Sequence, residues 1–463
     1  MADMTDDLMP VYVDTLIEDG LVVTMDGSYR VFERGSVAIT GDEIVEVGPS
    51  EELKTKYEAG RRIDARNRLV MPGLINTHTH SAMTIFRGFA DDISLKRWLY
   101  DHVFPMESRF IEPENVRAGT RLAIAEMLLS GTTTFNDMYY YTDEMARVVD
   151  QTGMRAVLNE SLIDFPVPNS SSPDKGLAFT EKMLDHWKEH PLINIGVAVH
   201  TPYTGSPDLI RQARAMADRH AVPFIIHLAE TKGEFDEIME KHGVSPVELL
   251  NNLGVLDNPT MAAHCVFLTD RDIEILASKR VGVSHNPQCN MKLASGAARL
   301  PELLEAGVNV GVGTDGVASN NDLDMIDEIR SMAFLHKFNS NDPTVVSARE
   351  AVEMATMGGA RVLGLDRQIG SLEKGKKADL ILLNMDKPHA HPLYNIYSLI
   401  VYSMRGADVE TVMVNGRFLV EDARLMTLDL GRLYDKVEGI ARQIRQYGEQ
   451  IGIFSAQQAN LKQ

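Results

Sequence analysis

Cysteine and long apolar runs are scarce in this sequence of 463 residues. Its two cysteines, Cys265 and Cys289, are too few for a disulfide framework, so a reducing cytoplasm is the expected location. No stretch approaches the ~18 consecutive apolar residues that cross a bilayer, and residues 1–10 lack the basic and apolar regions of a secretory signal. We therefore expect a soluble cytoplasmic protein with no membrane partner.

Positive charge is also in short supply. Lys and Arg total 46 against 66 Asp and Glu, which gives a formal net charge of −20. This surplus of acid opposes binding to phosphate backbones, so we expect no nucleic acid polymer as a partner. The 44% of hydrophobic and 24% of charged residues are ordinary for a folded chain. An enzyme with a sizeable core is the class that these features favour.

The middle of the chain alternates short apolar runs with longer amphipathic stretches, which is typical of βαβ units and a parallel sheet. The predicted strands cover residues 74–77, 132–136, 156–161, 193–200, 224–228, 260–264, 281–284 and 308–314. Eight such units over roughly 300 residues predict an α/β fold, a (β/α)₈ TIM barrel with its site at the carboxyl ends of the strands.

Both ends of the chain have β-character. Residues 1–71 contain short strands separated by turns, and strand-like segments return at 378–384 and 409–420, where Asn415-Gly416 is a hairpin signal. We expect a small β-sandwich domain formed from both ends, with parts at 1–71 and 371–430. The barrel would span 72–370, and a helix and tail would follow over 431–463.

His78 and His80 directly follow the first predicted barrel strand. Alternation in an extended segment turns both imidazoles to the same side, which is how two ligands reach one metal ion. Taken alone, the pair is equally compatible with a polar strand end whose spacing is accidental.

Other predicted barrel strands also end in polar residues: His227 lies near the end of strand five and Glu230 follows it, His264 ends strand six, and Asp315 follows strand eight. A buried, hydrogen-bonded histidine explains one such residue but not the set, because strand carboxyl ends converge at the barrel mouth. The pattern predicts a metal site of imidazoles and a carboxylate, which suits Zn²⁺ or Fe²⁺ and would supply a hydroxide near neutral pH.

Glu230 lies three residues beyond His227 and has two interpretations. It is well placed to act as a general acid and base beside the metal's water. Alternatively, it is a carboxylate that is favoured at a helix N-terminus by the helix dipole.

Five motifs carry a resemblance to a known family. They are residues 70–80 (VMPGLINTHTH), 227–230 (HLAE), 264–265 (HC), 284–287 (SHNP) and 313–316 (GTDG). In this order and spacing they resemble the amidohydrolase superfamily, and more narrowly the methylthioadenosine/S-adenosylhomocysteine deaminases. The resemblance extends from the N-terminal β-module to about residue 420. It implies zinc-dependent hydrolytic deamination of 5′-methylthioadenosine or S-adenosylhomocysteine, and of adenosine, to the inosine analogue and ammonia.

The resemblance also implies roles for individual residues. One zinc per subunit, with Fe²⁺ as the alternative, would be bound by His78, His80, His227 and Asp315. His264 would hydrogen-bond the metal's water, and together with Asp315 it would accept a proton from that water. Glu230 would protonate the ring nitrogen and then deliver protons to the departing ammonia.

The implied substrate contacts are Glu230, Asp315 and four further residues. Glu107 would accept hydrogen bonds from the ribose hydroxyls, or else is a surface charge. His200 would contact the nucleoside, and its place at the end of strand four, where binuclear relatives have a modified lysine, favours a single metal. Trp98 would form a wall against the ligand or pack within its loop, and Ser319 would donate a hydrogen bond near the ring.

Several alternatives remain open from the sequence. A related hydrolase, such as a guanine or cytosine deaminase or a triazine hydrolase, would share nearly the same site. A non-catalytic scaffold is the alternative from another class. We also expect a homo-oligomer, dimer or tetramer, and a lid over residues 81–112. Arg155 would either assist a carboxylate-bearing tail on the ribose 5′ carbon or form a structural salt bridge.

Overall fold

A computed structural model describes residues 9–93, 97–257 and 259–453. Its strands are β1 (Val11–Val23), β2 (Val31–Thr40), β3 (Glu43–Pro49), β4 (Tyr57–Asp64), β5 (Arg68–Pro72), β6 (Leu74–Thr79), β7 (Thr132–Tyr139), β8 (Arg155–Leu162), β9 (Ile193–Ile195), β10 (Val197–Val199), β11 (Phe224–Leu228), β12 (Thr260–His264), β13 (Gly282–His285), β14 (Val310–Val312), β15 (Leu380–Asn384), β16 (Val409–Val414), β17 (Arg417–Glu421) and β18 (Arg424–Leu425).

The described α-helices span Ser50–Lys56, Phe104–Phe110, Pro113–Leu129, Thr142–Thr152, Pro173–Trp187, Pro207–His220, Lys232–His242, Pro246–Leu253, Asp270–Lys279, Pro287–Lys292, Leu300–Glu305, Met325–Ser340, Ala348–Glu353, Gly359–Val362, Ile396–Tyr402 and Leu430–Gln450. Short 3₁₀ or π-helical turns span Ser81–Phe86, Trp98–Val103, Met354–Gly358, Pro388–Ala390 and Gly406–Asp408. None of the helices in the described ranges is both long and apolar enough to cross a membrane.

The central sheet is a parallel barrel with the strand order β6-β7-β8-β10-β11-β12-β13-β14. Its strands are buried along their whole length because helices cover them outside and side chains fill the interior. The barrel closes where the Asp315 backbone N–H donates to the His78 carbonyl at 2.9 Å. The predicted (β/α)₈ barrel is thus confirmed.

The fourth predicted strand is interrupted. Residues 193–200 form the two short strands β9 and β10, which are separated by Gly196. A Cβ at Gly196 would lie 2.2 Å from Oδ1 of Asn159, so the buried Asn159 side chain occupies the space next to this glycine. Periodicity alone does not reveal such a break, since the apolar pattern continues across it.

Both chain ends build the second sheet, in the order β18-β17-β16-β15-β5-β1-β2-β3, with β4 paired to β1. Antiparallel pairing of β5 with β15 joins the two ends of the chain. The sheet encloses its own apolar core, to which Val37 contributes from the N-terminal part and Leu380 from the C-terminal part. This confirms the predicted β-domain. We propose the division of the chain into 1–71, 72–370, 371–430 and 431–463.

A buried ion pair connects the barrel to the β-domain. Arg155, the first residue of β8, donates from Nε to Oδ2 of Asp379 at 2.7 Å and from Nη2 to Oδ1 at 3.0 Å. Only 1% and 2% of the two side chains are exposed. Arg155 also donates to the Asn415 side chain in the predicted hairpin turn. This arginine therefore has a structural partner, and it begins its strand rather than ending it at the barrel mouth.

Candidate active site

Three histidines and an aspartate converge at the carboxyl end of the barrel. His78 and His80 lie in and directly after β6, His227 lies in β11, and Asp315 follows β14. The Nε2 atoms of His78 and His227 are 3.1 Å apart. Oδ1 of Asp315 lies 3.1 Å from Nε2 of His80 and 3.4 Å from Nε2 of His78. His264 contributes a nitrogen to the same cluster, within 4.8 Å of His78 and His227.

The outer contacts of two histidines determine which nitrogen faces the cluster. Nδ1 of His227 lies 2.7 Å from the His200 carbonyl, and Nδ1 of His80 lies 2.5 Å from the Met138 carbonyl. Because a carbonyl only accepts, both Nδ1 atoms carry a proton, and Nε2 of each ring is the atom that faces the cluster. Ring nitrogens and carboxylate oxygens that converge this closely are compatible with a cation between them. The residues therefore fit a divalent metal ion with imidazole and carboxylate ligands.

The Asp315 carboxylate is held in one orientation. The Cys289 thiol donates to Oδ2 at 2.8 Å and the Ser319 hydroxyl donates to the same oxygen at 2.9 Å, so Oδ1 faces the histidines. Burial acts to raise the pKa of Asp315, but hydrogen bonds with His78 and His80 outweigh it and hold this pKa well below the ordinary value. Asp315 is therefore an anion at neutral pH.

Glu230 lies beside His264, with Oε2 3.9 Å from Nε2 of that ring and 13% of its side chain exposed. Its position is fixed from behind: the Glu234 carboxylate accepts the backbone N–H groups of Glu230 and Ala229 at 2.8 and 2.9 Å. Burial raises the pKa of Glu230. A carboxyl group in this setting holds a proton more readily than one in water, which suits a general acid.

The backbone at the strand ends adopts an unusual conformation. Ala229, His264 and Asp315 have φ values of 52°, 73° and 61°, in the left-handed region that non-glycine residues rarely occupy. Each of them follows or ends a barrel strand next to the cluster. Conformations of this kind are enriched at functional sites, where the surrounding structure maintains them.

The cavity has two compartments that share His80, Trp98, Leu99 and His200 in their walls. The metal-side compartment is further lined by Thr201, Tyr203, His227, Glu230, His264, Leu293, Asp315 and Ser319. The second compartment is further lined by Met83, Val103, Phe104, Glu107, Met138, Tyr139, Tyr140 and Ser161. We call the second one the Glu107 compartment. Nine of the ten residues predicted for the site thus line these two adjoining compartments, and the tenth, His78, belongs to the metal-ligand cluster with His227 and Asp315. Their roles stay predictions.

Glu107 is only 5% exposed, so its interpretation as a surface charge is wrong. The Tyr139 hydroxyl donates to Oε1 at 2.6 Å. Burial raises the pKa of Glu107 to about 7, against the lowering effect of the hydrogen bond from Tyr139. No described residue donates a hydrogen bond to Oε2 of Glu107.

The sequence reasoning missed several residues of the site. Tyr139 ends β7, at the same kind of position as the predicted residues, so a search of every strand end for polar groups would have found it. Cys289 and Glu234 lie on helices beyond the strands, and no signal in the sequence singles them out. Of the predicted lid over 81–112, residues 94–96 lie outside the described residues, and Trp98 and Glu107 come from its described part.

Three comparisons bear on this arrangement. A profile of the Amidohydrolase family matches residues 69–419. The chain is 47% identical over 432 residues to a 5-methylthioadenosine/S-adenosylhomocysteine deaminase from Syntrophobacter fumaroxidans, across 93% of this chain and 98% of that one. The crystal structure of an adenosine deaminase from Xanthomonas campestris with bound zinc has a TM-score of 0.93 and 38% identity, and the alignment covers 94% of this chain and 100% of that one.

The barrel, its cluster of histidines with an aspartate and these matches define the class of protein: the chain belongs to the amidohydrolase family. It is therefore a metal-dependent hydrolase that acts on C–N bonds. The resemblance to the methylthioadenosine/S-adenosylhomocysteine deaminases is confirmed by the identity over nearly the whole chain. An atrazine chlorohydrolase from Arthrobacter aurescens shares the fold alone, with a TM-score of 0.86 and 24% identity over 92% of this chain and 100% of that one.

Proposed function

We propose that this enzyme deaminates adenine nucleosides hydrolytically, converting 5′-methylthioadenosine or S-adenosylhomocysteine, and adenosine, to the inosine analogue and ammonia. The observation that carries the proposal is that two functional features lie in adjoining compartments with shared walls. A metal-ligand cluster with the separate carboxyl group of Glu230 lies at one end. The buried carboxyl group of Glu107, whose Oε2 has no hydrogen-bond donor among the described residues, lies at the other.

The proposed metal is one zinc ion per subunit, with Fe²⁺ as the alternative, and the ligands are His78, His80, His227 and Asp315. Support comes from the inward-facing Nε2 atoms and from the ionised carboxylate that Cys289 and Ser319 orient. When bound, the metal lowers the pKa of a water molecule and so supplies a nucleophile near neutral pH. The zinc in the similar adenosine deaminase from Xanthomonas campestris agrees with this assignment.

Proton transfer is assigned to three residues. Glu230 holds a proton that it gives to the ring nitrogen next to the reacting carbon. His264 and Asp315 accept one proton of the attacking water. Glu230, now a carboxylate, takes the proton of the hydroxyl that is left on the carbon and delivers it to the amino group, which departs as ammonia. The proton on His264 and Asp315 then returns Glu230 to its acid form. Glu230 suits its role because its carboxyl group lies outside the ligand cluster of the three histidines and Asp315, and because burial raises its pKa.

The substrate would lie across both compartments, with its purine near Glu230 and its ribose near Glu107. Oε2 of Glu107 would accept from the ribose hydroxyls, since Tyr139 already occupies Oε1. Trp98 and His200, which line both compartments, would contact the nucleoside, and Ser319 would donate near the ring. We further propose a cytoplasmic homo-oligomer, dimer or tetramer. Its two cysteines, both buried and free, are compatible with a reducing compartment.

The decisive experiment measures ammonia release with adenosine, methylthioadenosine, S-adenosylhomocysteine, adenine, guanine and a melamine-type triazine as substrates. We expect the highest kcat/KM for a nucleoside. A free base or triazine that outpaced every nucleoside would overturn the proposal in favour of another hydrolase of the family. If zinc-loaded protein turned over none of these substrates, a non-catalytic scaffold would be favoured.

A substitution tests the proton-transfer assignment. We expect Glu230→Gln to lower kcat by about 100-fold or more, because an amide cannot supply the proton. Glu237→Gln is the matched control, since Glu237 is an exposed residue of the following helix. Equal kcat values for the two variants would refute the role of Glu230.

A further inference from the structure

The Glu107 compartment has predominantly apolar and aromatic walls. Met83, Val103, Phe104, Met138 and Tyr140 line it, together with the shared Trp98 and Leu99. Two more aromatic rings extend this surface: Tyr100 and Phe165 lie edge-on to Phe104, with ring centroids 5.4 and 6.0 Å away. Tyr100 and Phe165 are partly exposed, at 52% and 38%, so the apolar surface reaches solvent.

Within the described ranges, no lysine or arginine lines either compartment. The described cations adjacent in sequence to the lining residues have other partners. Arg97, next to Trp98, pairs with Asp101 and is 65% exposed. Lys292, next to Leu293, pairs with Asp91 at 2.6 Å. Arg155 is buried against Asp379 at the start of its strand.

A 5′ substituent on a bound nucleoside would project into this compartment. If the purine lies at the metal side and Glu107 binds the 2′ and 3′ hydroxyls, the 5′ carbon is attached to C4′, across the ring oxygen from the carbon that bears the base. A substituent on it would then lie among the other walls of this compartment, which include Val103, Phe104 and Tyr140. A thioether is favourable in such surroundings, because sulfur packs well against aromatic rings. A carboxylate is unfavourable, because it would be desolvated beside another acidic group, and no lysine or arginine of the described ranges lines the compartment.

We propose that this compartment selects nucleosides whose 5′ substituent is uncharged, such as a methylthio group or a simple alkylthio chain, and rejects a zwitterionic amino-acid tail. The inference rests on the proposed function and narrows it. Of the two thioether substrates considered above, methylthioadenosine is favoured over S-adenosylhomocysteine. Selection arises from charge rather than length, since the aromatic surface continues outward to Tyr100 and Phe165.

The test compares kcat/KM for methylthioadenosine, S-adenosylhomocysteine and 5′-(n-butylthio)-5′-deoxyadenosine, whose tail is about as long as that of S-adenosylhomocysteine but uncharged. We expect the butylthio compound to lie within about 10-fold of methylthioadenosine and S-adenosylhomocysteine to lie about 100-fold below the butylthio compound. Equal values for the two long-tailed substrates would overturn the proposal, whether both are good or both are poor. If no nucleoside is deaminated, the proposed function itself fails.

A pair of variants at Ser161 tests the same idea, since one of them adds a positive charge to the wall of the compartment. Ser161 lies on strand β8 and lines the Glu107 compartment. We expect the ratio of kcat/KM for S-adenosylhomocysteine to that for methylthioadenosine to be about 10-fold higher in Ser161→Lys than in Ser161→Met, which controls for side-chain size. An equal ratio in two folded variants would contradict the proposal. If neither variant folds, the substrate comparison with the unmodified enzyme decides.

Discussion

The substitution Glu107→Gln tests how the enzyme recognises a nucleoside. In the native site the Tyr139 hydroxyl donates to Oε1, and Oε2 is the atom that we propose accepts from the ribose hydroxyls. In the variant, an amide whose oxygen faces Tyr139 has its NH₂ group facing the ribose. Both the NH₂ group and the ribose hydroxyls are then donors, and no hydrogen bond to an acceptor oxygen of residue 107 forms there. An amide that is turned the other way requires Tyr139 to accept. Either arrangement loses at least one charge-assisted hydrogen bond.

The size of the loss follows from that count. A hydrogen bond to a charged group contributes about 1.5–3 kcal/mol, which corresponds to a decrease of about 10- to 150-fold in kcat/KM. Because the ribose does not change during the reaction, its binding is equally strong in the ground state and the transition state, so most of the effect belongs in KM. The assay is ammonia release at pH 8, where a Glu107 with a pKa of about 7 is mainly ionised.

Two controls make this result specific. The exposed Glu112→Gln variant has the same change in charge outside the cavity and is expected to leave nucleoside kinetics unchanged. Turnover of free adenine, which has no ribose, is expected to be equally slow in the Glu107→Gln variant and the native enzyme. If kcat/KM for nucleosides is unaffected in a folded Glu107→Gln variant, or falls in equal proportion for adenine, the assignment of Glu107 to the ribose is refuted.

Three further predictions follow from the same contacts. Tyr139→Phe removes a hydrogen bond that lowers the pKa of Glu107, so the rise of kcat/KM with pH, centred near pH 7 in the native enzyme, is expected at higher pH; an unshifted profile would contradict this. Removal of the metal by a chelator is expected to abolish ammonia release and to lower the melting temperature, because a ligand that binds only the folded state stabilises that state. Addition of Zn²⁺ is expected to restore both. A melting temperature that stays the same while Zn²⁺ restores activity would show that the metal does not stabilise the fold. Asp379→Asn leaves Arg155 buried without its anion and is expected to lower the free energy of unfolding by about 3–5 kcal/mol in urea titrations, with kcat/KM unchanged in the folded fraction.

The sequence was informative wherever a local pattern determines the structure. Eight apolar runs of strand length predicted the barrel, and polar residues that follow those runs predicted which side chains meet at its mouth. The cluster of His78, His227 and Asp315 was predictable because each residue lies at the carboxyl end of a barrel strand, and no other contact is needed to bring them together. The expectation of only short strands in residues 1–71 was wrong at the start of the chain, since one long strand, Val11–Val23, runs there with irregular pairing at Gly20.

Contacts that join distant segments were not predictable in the same way. Tyr139 and Glu107 are 32 residues apart, and Cys289 and Asp315 are 26 apart. Each pair depends on the path of a loop or helix that carries no periodic signal. Arg155 shows the same limit: the sequence left two roles open, and only its position against Asp379, 224 residues away, decides between them.

The proposed proton-transfer residues and the proposed ribose contacts come from different parts of the fold. The atrazine chlorohydrolase shares the fold at 24% identity, so the barrel by itself does not determine the substrate. In this chain the proposed proton-transfer groups lie at strand ends, where the backbone of Ala229, His264 and Asp315 is in the left-handed region. Trp98 and Glu107 instead come from the segment between β6 and β7. Changes in that segment can alter KM and selectivity while the groups that move protons stay in place, and substitutions at Glu107 and Glu230 should therefore affect KM and kcat separately.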